Sequence, residues 1–210
     1  MKRMNKLKRL TVSVLILSLL LLPVQAFAQS GTHTVAQGDS MWKIAVRYQI
    51  GVSELIAANP QISNPSQIYP GQKINIPSID DVKALEQKVI ELVNQQRAYN
   101  GLPALKANWE VSRVARYKSQ DMIDKHYFAH QSPTFGSPFN MMENFGIRFS
   151  AAGENIAYGQ RTPEEVMKSW MNSPGHRSNI LNATYNQIGV GVAKSSNGTF
   201  YWTQMFIKYP

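Results

Sequence analysis

The sequence predicts an α+β protein built from two folded modules behind a short leader, and three observations carry that prediction. A basic start followed by an apolar run sets residues 1–28 apart from the rest. From His33 to Pro77 the chain gives strand, helix, helix and strand signals in turn and closes on a proline. From Val82 onward, longer helical periods alternate with strands and end in a hairpin.

In the leader, Lys2, Arg3, Lys6, Lys8 and Arg9 precede an apolar run from Leu10 to Leu22, then Pro23 and the small residues Ala26 and Ala28. This is the pattern of a secretory signal cleaved before Gln29. The run of about 13 residues falls short of the roughly 20 that a spanning helix needs, so no stable membrane anchor is expected. No cysteine follows it, which excludes a lipoprotein anchor. The same five cations supply much of the formal net charge of +9; about +4 remains without them, too little to imply a nucleic-acid partner. The whole chain lacks cysteine, so each exported module is held by its apolar core alone. That points to an exported surface protein of a Gram-positive bacterium.

After a polar lead, His33-Thr34-Val35 is extended. Gly38-Asp39-Ser40 turns the chain and caps a helix over Met41–Tyr48, on which Trp42, Ala45, Val46 and Tyr48 share a face. Gly51 ends that helix, Ser53 caps a second one carrying Leu55, Ile56 and Ala58, and Asn59-Pro60 stops it. Tyr69-Pro70-Gly71-Gln72 makes a turn before the alternating strand Lys73–Ile76. From His33 through Ile76-Pro77 this string resembles a LysM module, placed at 32–77. The resemblance implies a βααβ fold that binds peptidoglycan or another glycan containing N-acetylglucosamine. It sets the glycan groove between Gly38, Asp39, Ser40 and Met41 on one loop and Asn59, Pro60, Gln61 and Ile62 on another. Backbone amides and small side chains at loop tips suit N-acetyl and hydroxyl groups. Gly38, Asp39 and Asn59 also serve to shape turns and caps.

Residues 78–84 link the modules. Val82, Leu85, Val89, Leu92 and Val93 set a helical spacing that runs to Tyr99, and Asn100-Gly101-Leu102-Pro103 breaks it. A second helix fits Trp109 to about Tyr127, with Val111, Val114, Ala115, Met122 and Ile123 inward. Residues 131–150 are rich in Pro, Gly, Phe and Met, which predicts a packed irregular stretch with a short helix near Asn140. Gly153–Tyr158 reads as a strand, Pro163–Met171 as a helix and Ser178–Leu181 as a helical piece. Ile188–Ala193 and Thr199–Ile207 form a hairpin across Asn197-Gly198.

This second module has no Gly-x-Ser-x-Gly elbow, no His-Glu-x-x-His and no phosphate-cradling glycine loop. It does carry Phe128-Ala129-His130, Gly153-Glu154-Asn155-Ile156-Ala157 and the run Ser173-Pro174-Gly175-His176-Arg177-Ser178-Asn179-Ile180-Leu181. With Ile188-Gly189-Val190-Gly191-Val192 and Tyr201-Trp202-Thr203-Gln204, residues 85–210 resemble a CAP domain of the bacterial SCP-like branch. The resemblance implies an α-β-α sandwich with a cleft lined by two histidines and two acids, matched here by His130, Glu154 and His176. The second acid departs from the pattern: the position three residues after Trp170 is Ser173, and Glu165 lies about 80° away from it around the same helix.

Two imidazoles and a carboxylate could hold zinc, with His130 and His176 as its ligands, or act as acid and base; no cofactor is required. Structural readings stand beside these: His130 closing a helix, His176 capping a turn, and Glu154 pairing with a histidine. His33 and His126 are expected at the surface, Trp109, Trp170 and Trp202 in the core, and Arg177 as a fork to carbonyls or a carboxylate. Two functional classes remain open. One is a wall protein without catalytic activity, whose LysM-like module localises it while the CAP-like cleft takes a lipid or protein ligand, with cell envelope or spore coat assembly as a variant. The other is a metal-assisted peptidase or wall hydrolase using His130, Glu154 and His176.

Overall fold

The computed structural model describes residues 31–210, and the leader expected over residues 1–28 lies outside them. The first module consists of β1 (Gly31–Thr34), α1 (Met41–Tyr48), α2 (Val52–Ala57) and β2 (Lys73–Ile76). The two strands pair antiparallel with His33 opposite Ile74. Ser40 caps α1 by accepting from the Lys43 amide at 3.2 Å. The inward face of α1 is Met41, Ile44 and Ala45, packed with Val35, Ile50, Leu55, Ile74 and Ile76. Trp42, expected on the inner face with Ala45, is instead 57% exposed. The i, i+3, i+4 set that begins at Met41 takes the core, and Trp42 follows it by about 100° of helix rotation.

Three further expectations are corrected. Gly51 does not end α1, which stops on Gln49 in the left-handed region at φ 53°; Gly51 instead opens α2, and Ser53 lies inside that helix. His33 is buried in the module.

The second module begins with α3 (Asp80–Tyr99), which starts inside the expected linker and leaves only residues 77–79 between the modules. It continues with β3 (Lys106–Ala107), α4 (Trp109–Asp124), α5 (Pro138–Asn144), β4 (Ala151–Tyr158), α6 (Pro163–Asn172), α7 (Pro174–Ile180), β5 (Gln187–Lys194) and β6 (Phe200–Lys208). The sheet order is β3-β5-β6-β4, with β3 parallel to β5 and the other pairs antiparallel. Alternate residues of β5 and β6 face opposite ways. Ile188, Val190, Trp202 and Phe206 meet α3, α6 and α7 through Val89, Val93, Val166, Trp170 and Ile180. Met205 and Ile207 meet α4 and α5 through Val111, Val114, Ala115, Met141 and Met142.

The result is an α-β-α sandwich. On β5 the α4 side is occupied by Gly189 and Gly191, where a Cβ would run into the α4 backbone at Val111–Ser112 and Ala115–Arg116. These two glycines let the helix lie directly on the strand. Trp170 and Trp202 are fully buried, whereas Trp109 is only half-buried and carries the Arg113 guanidinium 5.9 Å from its ring centre. The modules touch where the Tyr117 hydroxyl donates to the Glu54 carboxylate at 2.7 Å and meets the Ser53 hydroxyl, and where Lys83 Nζ donates to the Tyr48 carbonyl at 3.0 Å.

Candidate functional site

In the first module the two loops expected to hold glycan are braced from beneath. Asn59 is buried: its amide nitrogen donates to the carbonyls of Leu55 and Asn75 at 2.7 and 2.8 Å, and its Oδ1 accepts from the Asn75 amide at 2.7 Å. It ties the end of α2 to β2. Met41 is in the core. Both residues therefore shape the groove and can meet a ligand only through their backbone. The Asp39 carboxylate is also enclosed, accepting from the Ala36 amide at 2.9 Å and from His33 at 2.8 Å. The Ala36 amide bond, then His33, hold this carboxyl below its usual range.

Gly38, Pro60 and Gln61 are exposed, while Ser40 and Ile62 are half-buried. Gln61 and Ile62 open onto a trough of about 460 Å³ that Asn64, Gln67, Tyr69 and Gln72 complete. Its wall is rich in amides, and Tyr69 is 65% exposed. The sequence signal for it was a polar, amide-rich loop with one aromatic residue between helix and strand.

In the second module His130 does not close α4, which ends at Asp124; the helix is followed by His126, exposed and at φ 53°. His130 sits further along the loop, and its Nδ1 lies 2.7 Å from Glu154 Oε1 on β4. Donation from Nδ1 to the carboxylate fixes the tautomer and leaves Nε2 as the free acceptor. The histidine side chain is 54% exposed and that of the glutamate 1%. Burial raises the Glu154 pKa against the opposing pull of the His130 bond and the Lys118 charge. Its Oε2 is buried without a partner.

The loop is held by Lys118, a fully buried cation whose Nζ donates to the Tyr127 hydroxyl at 2.9 Å and to the carbonyls of Ala129 and His130 at 2.8 Å. Burial lowers the Lys118 pKa, with Glu154 and Asp121 opposing. Asp121 accepts from Tyr127, Ser132 and Thr134 at 2.6, 2.7 and 2.7 Å. Burial alone would raise its carboxyl, but these three hydroxyls outweigh burial and hold it low.

His176 lies within α7, half-buried, its pKa lowered by burial and then by the charge of His130. Asn155 Nδ2 donates to the His176 carbonyl at 3.1 Å, and Asn179 Nδ2 donates to the Glu154 carbonyl at 3.1 Å and to Asn155 Oδ1 at 2.9 Å. The structure thus joins His130 to Glu154 side chain to side chain and docks His176 on the neighbouring residue through its backbone. Glu165 is engaged at the start of α6, its carboxylate accepting from the Arg161 amide at 2.7 Å. Arg177 reaches the Met171 carbonyl at 3.2 Å.

Among the described residues no three His, Cys, Asp or Glu side chains converge as a metal-ligand set. A protein zinc site uses three or four such ligands, so the two imidazoles fall short of that fit. Sequence reasoning missed Lys118, Asp121 and the Asn155–Asn179 ties. Lys118 had one signal: it falls in helical register with Val111, Val114, Ala115 and Met122, where an apolar residue belongs.

Comparison with known proteins agrees with this division. The model of the cysteine-rich secretory protein family, CAP, matches residues 90–206, and that of the LysM domain matches residues 33–77. The uncharacterized protein YkwD of Bacillus subtilis is 58% identical over 126 residues, which are 60% of this chain and 48% of that protein. The spore coat assembly protein ExsA of Bacillus cereus is 48% identical over 46 residues, 22% of this chain and 7% of that one. The crystal structure of an extracellular protein containing a SCP domain from Bacillus anthracis superposes with a TM-score of 0.57 at 33% identity, covering 65% of this chain and 46% of that chain. The chain spans less than half the length of these curated relatives.

Proposed function

We propose a role at the cell wall for this chain, which belongs to the cysteine-rich secretory protein (CAP) family and carries a LysM domain ahead of the CAP domain. The protein is exported, its LysM module holds it on peptidoglycan or another N-acetylglucosamine glycan, and its CAP cleft takes a ligand. The observation that carries the glycan reading is the complete βααβ unit with its exposed loop tips and amide-lined trough beside Tyr69. Amide side chains and open backbone can pair with N-acetyl and hydroxyl groups, and an exposed ring offers a face to a sugar. A similar LysM segment in a protein named for spore coat assembly supports a wall or spore-surface location.

Binding in the CAP cleft is favoured over catalysis because His130 and Glu154 form a pair with no adjacent nucleophile in their hydrogen-bond set and no third metal donor among the described residues. A hydrolase reading keeps one observation in its favour: an imidazole oriented by a buried carboxylate, with Nε2 free, is the geometry of a general base.

Titration of a soluble N-acetylglucosamine hexamer into the folded chain, followed by amide chemical shifts, tests the glycan reading. A single module should bind with a Kd of roughly 10⁻⁴ to 10⁻³ M, about −4 to −5 kcal/mol, with shifts centred on Gly38, Gln61 and Tyr69. Shifts confined to the CAP domain, or none at all, would reject it.

A further inference from the structure

We infer that His33 is a positioning residue for the glycan loop between β1 and α1, an inference that rests on the glycan reading of that loop. His33 stands in β1 opposite Ile74, at a position whose side chain points into the module, where an imidazole is costly unless both ring nitrogens are partnered. Both are. Nε2 lies 2.8 Å from Asp39 Oδ2, and Nδ1 lies 3.2 Å from the Tyr48 hydroxyl at the end of α1. One neutral tautomer satisfies these two bonds, with Nε2–H donating to the carboxylate and Nδ1 accepting from the phenol, while Arg47 Nη1 approaches the same Nε2 at the longer distance of 3.4 Å. The His33 and Tyr48 rings meet edge to face at 5.7 Å.

The charged and titratable groups facing the imidazole are Asp39, Tyr48 and Arg47, whose Nη2 reaches Asp39 Oδ1 at 3.4 Å from a half-exposed side chain. Asp39 is the link to the loop. The same Oδ2 that meets His33 accepts from the Ala36 amide at 2.9 Å and closes the turn 36–39. Lys43 Nζ anchors the other end of the loop by donating to the Gly38 carbonyl at 2.6 Å. The Asp39 carboxylate therefore braces the loop from inside the module, and the strand histidine fixes where that brace sits. A loop already held in one conformation loses less conformational freedom when a weak ligand binds.

The test compares the wild-type chain with His33→Ala and His33→Gln, because the Gln amide can still donate to Asp39. Hydrogen exchange at the Ala36 amide reads loop position without ligand, titration with the N-acetylglucosamine hexamer reads binding, and thermal melting reads the fold. We expect His33→Ala to speed Ala36 exchange at least about fivefold and to weaken hexamer binding by about five- to tenfold, with His33→Gln within about twofold of wild type in both. An unchanged Ala36 exchange rate in His33→Ala overturns the inference by itself. So does a loss of affinity shared equally by both variants in step with their melting temperatures, which would mark a role in the fold alone. If the wild-type chain ignores the hexamer, the glycan reading fails, while the exchange comparison still decides whether His33 sets the loop.

Discussion

Replacing Gly191 by alanine tests the packing that places the cleft. A Cβ at this position would lie 2.6 Å from the Ala115 carbonyl oxygen and closer still to the Arg116 amide nitrogen. Both are backbone atoms of α4, and neither can swing away as a side-chain end could. Ordinary contact needs about 3.5 Å, so the helix must retreat from β5 by roughly 1 to 1.5 Å. That retreat would loosen the cluster of Val111, Val114, Ala115 and Met205 and stretch the 3.1 Å bond from Ser119 Oγ to the Gly191 carbonyl. Overpacking costs about 1–3 kcal/mol when side chains can adapt, and here they cannot, so a loss of about 3 kcal/mol or more is expected. Lys118 rides on the same helix, so the His130–Glu154 contact should be disturbed as well. Urea unfolding followed by fluorescence of the buried Trp170 and Trp202 is the assay, with Gly175→Ala as control because a Cβ there meets nothing within 4 Å. A Gly191→Ala chain within about 1 kcal/mol of wild type would refute this account of the α4–β5 contact.

Three other outcomes follow from the same geometry. Arg97 is fully buried and donates to the carbonyls of Pro103, Ile180 and Asn182, each at 2.9 Å; Arg97→Met should cost roughly 3 kcal/mol in urea unfolding, and Arg97→Lys should recover little because a single ammonium cannot reproduce the fork. Burial pushes the Glu86 carboxyl from 4.5 up to about 8 despite the Arg116 guanidinium 2.9 Å away. Between those values the folded chain holds a proton that the unfolded chain has released, so this group's contribution to stability should fall as pH rises through that window, and Glu86→Gln should flatten that part of the urea-midpoint profile. Zinc titrated calorimetrically at about pH 7.5, where imidazoles are free to ligate, should give no stoichiometric site; a saturable site lost in the His130→Ala, His176→Ala double variant would contradict the count of donors.

The elements legible in the sequence were those with a local cause. Ser40 as a cap, the apolar spacing that follows it and the alternation of Lys73–Ile76 set α1 and β2 at the expected residues. Asn197-Gly198 marked the β5–β6 turn, and Pro163 the start of α6. What escaped had a distant cause. β3 is two residues long and exists only because Lys106 and Ala107 pair in parallel with Gln187 and Ile188. Trp42 faces outward because Met41 takes the core position, a choice that helical spacing alone leaves open. His130 and Glu154 were legible through their motifs, but the lysine that holds their loop comes from α4, twelve residues before His130, and is tied to it only by tertiary contact. His33 reads as a polar residue at the edge of a strand, and only Asp39 and Tyr48 reveal why it is inside.

The central claim is that the LysM module holds this chain on wall glycan, and co-sedimentation with purified, protein-free peptidoglycan sacculi tests it most directly. The folded chain should pellet with the sacculi and be released by excess N-acetylglucosamine hexamer. A Gln61→Ala, Tyr69→Ala double variant should stay largely in the supernatant while still melting cooperatively as a folded chain, although Gln61 also donates to Asn59 Oδ1 at 3.0 Å. A folded wild-type chain that remains in the supernatant, or a double variant that pellets as fully as wild type, would contradict the account.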